Sequence, residues 1–112
     1  MIEATIIEYL SGRLTVPVYG AVPAYPPASF VTVEKTGGRR ENRLDAATLA
    51  VQSWAATIEQ AAQLNEEVKA AMFESVTLDS VSSCDLDTDY NYTDSVRKRP
   101  RYQAVFDLVY YD

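Results

Sequence analysis

Apolar residues in the opening stretch recur at helical spacing: Ile2, Ile6, Tyr9 and Leu10 share one stripe, and Gly12 stands where such a helix would stop. A helix over residues 2–11 is therefore predicted, with Glu3 near the positive end of its dipole. From Leu14 to Tyr19 the pattern becomes extended, but Pro17 removes a ladder donor and restricts the run to an edge or irregular strand. Pro23, Pro26 and Pro27 then form a stiff connector. Ser29 to Lys35 is rich in β-branched residues and predicts a strand. Thr36-Gly37-Gly38 punctuates it, and the polar run Arg39 to Arg43 predicts a solvated hairpin loop spanning Thr36 to Leu44. Ala46 to Trp54 alternates Ala47, Leu49 and Val51 against Thr48 and Gln52, as a partner strand should.

A long helix is predicted from Ala55–Thr57 to about Phe73. Ile58, Ala61, Leu64, Val68, Ala71 and Met72 fall on one stripe, and Glu59, Gln60, Gln63, Glu66 and Glu67 face away. Val76 to Asp89 reads as extended. Arg101 to Tyr111 is the last strand, with Tyr102, Ala104, Phe106, Leu108 and Tyr110 on one face. The order α-β-β-β-α-β-β predicts an α+β fold: a mainly antiparallel sheet with the N-terminal helix and the long central helix packed on one face. With 112 residues the expectation is one domain, 1–112.

Charge and cysteine usage narrow the partners. Ten basic against sixteen acidic side chains leave a formal charge of −6, which disfavours general binding to nucleic acid or to an anionic membrane. No run of about 18 apolar residues appears, so no membrane partner is expected. Cys84 is the only cysteine, and the start Met1-Ile2-Glu3-Ala4 lacks a signal-peptide pattern, so a reducing cytoplasm is the expected setting. Eight tyrosines among twelve aromatics favour an interface, because tyrosine joins packing area to a hydrogen-bonding tip.

The absence of histidine removes the commonest general base and every histidine-containing triad or metal site. Cys84 then lacks its usual activating partner and reads as a small core or half-exposed residue. Asp85, Asp87 and Asp89 imitate the start of a calcium loop, but Tyr90 and Val96 occupy the places that need glycine and glutamate. Period-two spacing instead predicts three carboxylates on one strand face. Two basic islands, Arg39-Arg40 with Arg43 and Arg97-Lys98-Arg99 with Arg101, carry no nucleic-acid-reading motif. Gly37-Gly38 lacks the lysine of a phosphate-cradling loop. No catalytic, metal or cofactor site is expected.

Two stretches share a likeness. One is Val16-Pro17-Val18-Tyr19, then Pro23 and Pro27, then Phe30-Val31-Thr32-Val33-Glu34-Lys35-Thr36-Gly37-Gly38. The other is Thr48-Leu49-Ala50-Val51-Gln52-Ser53-Trp54-Ala55 leading into Ala61-Ala62-Gln63-Leu64, with Tyr102-Gln103-Ala104-Val105-Phe106-Asp107 closing the chain. Together they resemble the tail-terminator or tail-completion proteins of long-tailed phages and prophages, especially of Gram-positive hosts. The resemblance implies a structural subunit of the virion tail or neck, made in the host cytoplasm. It implies a ring, usually a hexamer, that caps the tail-tube protein and meets the head connector, with DNA only as passing cargo. In such a ring Arg39, Arg40, Arg43, Arg97, Lys98 and Arg99 are candidate assembly contacts. Asp85, Asp87 and Asp89 are the candidate acidic channel face. The alternatives are another small head–tail connector, or an acidic inhibitor that mimics DNA. The basic islands weigh against mimicry, which needs a sustained negative field.

Overall fold

The computed structural model describes residues 1–41 and 44–111. Its elements follow the predicted order: α1 (Ile2–Arg13), β1 (Val18–Tyr19), β2 (Phe30–Glu41), β3 (Leu44–Trp54), α2 (Ile58–Phe73), β4 (Val81–Asn91) and β5 (Arg101–Tyr110). Five strands form one sheet in the order β1-β2-β3-β5-β4, antiparallel except where β1 lies parallel to β2.

The alternation predicted in the last strand sets the core. Ala104, Phe106, Leu108 and Tyr110 of β5 point to the same side as Ala47, Leu49 and Val51 of β3 and Val31 and Val33 of β2. Ile2, Ile6 and Leu10 of α1 and Leu64, Val68, Ala71 and Met72 of α2 close over that side. Both helices thus cover one face. Phe106, Leu49, Val68 and Met72 are fully excluded from solvent, each contributing about 1.5–3 kcal/mol relative to exposure. Thr57 caps α2 by accepting from the Gln60 amide at 3.2 Å, a cap worth about 1 kcal/mol. The Tyr9 hydroxyl ties the helices together by donating to the Ala71 carbonyl at 2.6 Å. Burial at that junction raises the Tyr9 pKa.

Three boundaries differ from the sequence reading. Of the extended run Leu14 to Tyr19, only Val18 and Tyr19 pair, with Val31 and Thr32. The segment Val76 to Asp89 begins with a turn of 3-10 helix, Glu74–Thr77, and becomes strand only at Val81. The predicted loop from Thr36 to Leu44 is instead mostly ladder: Gly37 to Glu41 pair with Thr48 to Leu44. A register shift between Lys35 and Gly37 leaves Thr36 as an extra residue, so the chain absorbs the Thr-Gly-Gly interruption as a bulge. Glu34 to Arg40 are all exposed, which reconciles their polar composition with a strand.

Candidate functional site

The sheet face turned away from both helices is built from the polar positions of the same alternation. Register places Phe30 and Thr32 of β2, Gln52 and Trp54 of β3, and Gln103 of β5 side by side on it. At this end a hydrogen-bonded row crosses four strands. Trp54 Nε1 donates to Thr32 Oγ1 at 3.1 Å, and Thr32 Oγ1 donates to Gln52 Oε1 at 2.6 Å. Gln52 Nε2 donates to Gln103 Oε1 at 2.7 Å, and Gln103 Nε2 donates to the Tyr90 hydroxyl at 2.6 Å. All of these residues except Tyr90 are buried.

Rings and guanidinium groups roof this end. Phe30 stacks on Trp54 at 5.3 Å between centroids, and Tyr19 meets Phe30 edge-on at 6.0 Å. Arg101 lies between Trp54 and Tyr92, 4.7 and 4.3 Å from their centroids. Its Nε donates to the Tyr92 carbonyl at 2.6 Å. Arg99 lies over Phe30 at 5.3 Å and donates to the Pro27 and Ala28 carbonyls at 2.9 and 3.2 Å. Such contacts draw on the ring quadrupole, which attracts a cation over its face.

Much of the second basic island is engaged within the subunit. Arg99 holds the proline connector to the sheet. Arg97 pairs with Asp94 at 2.9 Å, and the buried Asp94 also accepts from the Val96 and Arg97 amides at 2.9 and 3.1 Å. Those bonds, led by the Arg97 guanidinium, lower the Asp94 pKa. Lys98 takes a left-handed backbone (φ 54) in this turn and is exposed.

The first island divides as well. Arg40 forks onto Asp45 at 2.9 and 3.1 Å, and this contact lowers the Asp45 pKa. Arg39 is exposed, opposite Ala46 and on the face away from the helices. Arg43, the remaining candidate, lies outside the described residues.

The three aspartates do not share a face, contrary to the period-two expectation. Asp85 pairs with Asp107 and is exposed on the open side. A register shift between Leu86 and Thr88 then inserts Asp87 as an extra residue. A bulge reverses the alternation, so Asp89 pairs with Ala104 on the helix side. There it accepts from Lys69 Nζ at 2.9 Å and Asn65 Nδ2 at 2.8 Å. The Lys69 hydrogen bond, helped by Asn65, lowers the Asp89 pKa against an opposing effect of burial. Lys69 is raised, first by its bond to Glu66 and then by Asp89. Asp89 is thus a link between β4 and α2 and leaves the candidate channel face.

The far end of the open face is shallower. A groove of about 450 Å³ is lined by Gly38, Arg39, Ala46, Thr48, Asp107 and Val109, with other backbone beneath. Thr48 Oγ1 donates to Asp107 Oδ1 at 2.9 Å. Cys84 is half-buried on the helix side, and burial raises its thiol pKa while a bond with Ser75 lowers it. Among the described residues no three His, Cys, Asp or Glu side chains converge to hold a metal ion. No helix among them is long and apolar enough to cross a membrane. The buried polar row escaped the sequence reading. Its available signal was Thr32 and Gln52 interrupting otherwise apolar strands at alternate positions.

Compared with known proteins, the chain matches no protein-family model and no curated protein.

Proposed function

We propose that this chain is a structural subunit of a phage tail or neck, of the tail-terminator type, forming a ring on the tail tube and meeting the head connector. One observation carries the reading: both helices cover one face of a five-stranded sheet, while the other face carries no helix among the described residues and is exposed at the end bearing Glu34, Asp85 and Asp107. A ring subunit that passes DNA needs such a wall. Its lining should be neutral or acidic, because each phosphate neutralised by a cation adds affinity through counterion release. The open face supplies Glu34, Asp85 and Asp107, all exposed carboxylates, against the exposed Arg39, with Thr48, Ala50 and Val105 among them. Asp107 takes the place first given to Asp89. Asp87, exposed in its bulge, stays beside Asp85. The element order, with its proline-broken short strand, is also the order implied by the resemblance.

The assembly role then falls to exposed cations, Arg39 and Lys98, since Arg40, Arg97 and Arg99 are engaged within the subunit. The test is sedimentation of the purified chain with tail tubes assembled from the tube protein encoded in the same gene cluster. Pelleting with tubes and not alone supports the reading. A chain that remains in the supernatant at every salt concentration overturns it.

A further inference from the structure

We propose that copies of this chain join edge to edge, the outer edge of β2 in one copy pairing antiparallel with the outer edge of β4 in the next. One sheet then runs through the assembly. The proposal rests on the self-assembly part of the reading above and names the surfaces that carry it.

The sheet order leaves two free edges. β4 has β5 as its only strand neighbour among the described residues. Among the described residues, β1 pairs with the outer side of β2 only at Val31 and Thr32, so residues 33–41 present an edge with no strand paired to it there. At about 3.3 Å per residue that edge is roughly 30 Å long. Unpaired strand edges of this length template pairing with another chain. The direction is right as well. β2 opposes β3, β3 opposes β5 and β5 opposes β4, so β2 and β4 run in opposite senses. A neighbour in the same orientation therefore brings its β4 antiparallel to β2.

Charge selects between the possible pairings. The β2 edge carries three cations, Lys35, Arg39 and Arg40, against two carboxylates, Glu34 and Glu41, whereas β4 carries Asp85, Asp87 and Asp89 and no cation. Arg40 and Asp89 are engaged within the subunit. The side chains of Arg39, Asp85 and Asp87 are exposed and make no hydrogen bond or ion pair among the described residues. Arg39 shares the open face with Ala46, and Asp85 shares it with Asp107, so in a continuous sheet the two charges lie on the same side. Pairing β4 with β4 sets its carboxylates against one another, whereas β2 against β4 brings the exposed Arg39 to a carboxylate-only edge. Like charges across a strand pair are destabilising. The contact is thus heterologous, the kind that closes rings or runs on as filaments. Bulges at Thr36 in β2 and at Asp87 in β4 make each edge a poor template for an arbitrary strand.

The experiment is sedimentation velocity on the full chain up to about 1 mM, a range that captures weak self-association. The variants are Arg39→Glu, Asp85→Arg and the double exchange. Both side chains are exposed, and circular dichroism checks that each variant is folded. The parent should associate, and each single variant should weaken association by about tenfold or more. The double exchange, and an equimolar mixture of the two single variants, should restore it, because every β2–β4 contact again joins opposite charges. Single variants that associate like the parent overturn the proposal, as does a parent that is monomeric throughout. If the chain pellets with tail tubes while the exchange pattern is absent, the edge contact fails and the tail reading stands. If the exchange pattern appears without tube binding, the converse holds.

Discussion

Gln52→Leu offers a sharp probe of the open face, because it keeps side-chain volume while cutting the polar row at its centre. Gln52 accepts from Thr32 and donates to Gln103, and all three residues are buried. Leucine leaves the Thr32 hydroxyl proton and Gln103 Oε1 without partners. A buried polar group stranded in this way costs about 1–3 kcal/mol. Two such losses, offset by about 1–2 kcal/mol from the added apolar burial, give a net destabilisation centred near about 2.5 kcal/mol. For a chain of this length, at about 4 °C per kcal/mol, that lowers the Tm by roughly 10 °C. Urea unfolding followed by fluorescence reads the loss directly, since Trp54 is the only tryptophan and is buried. Tyr90→Phe, at the exposed end of the row, should cost less than about 1 kcal/mol because water can replace the lost hydroxyl. A Gln52→Leu protein within about 0.5 kcal/mol of the parent, the range of neutral surface changes, would refute the view that the row is a connected unit.

Asp89 makes stability depend on pH in a defined sense. Its folded pKa is depressed by Lys69 and Asn65. The stabilisation is thus present above the unfolded value of about 3.9 and lost as pH falls through the lower folded value. The parent should exceed Asp89→Asn by about 1 kcal/mol at neutral pH, with the gap closing in acid; a gap independent of pH contradicts the assignment. Deleting Asp87 should be tolerated, since Asp85 still meets Asp107 and Asp89 still meets Ala104 once the extra residue is gone. Deleting Asp87 and Thr88 together should abolish cooperative unfolding in calorimetry, because every later β4 side chain then changes face.

Much of the fold was legible where a period persists. The stripe Leu64, Val68, Ala71 and Met72 and the alternation from Ala104 to Tyr110 each announce an element whose apolar side must be buried, and the structure buries them together. Legibility fails where one residue breaks the period. Gly37 and Gly38 weigh locally toward a turn, yet pairing with Thr48 and Ala47 outweighs that preference. Asp87 has no local mark of a bulge, and without it the three aspartates appear aligned. The roles of Arg99 and Arg101 depend on rings and carbonyls brought near by folding, such as Phe30, Trp54 and Pro27. A basic island read along the chain carries no sign that its charges are already engaged.

The central claim is tested most directly by electron microscopy of tail tubes mixed with the purified chain, with averaging of the tube ends. The account predicts a closed ring at one end only, coaxial with the tube, with the helices outward and the open sheet face toward the channel. Bare ends, or protein scattered along the tube wall, would contradict it.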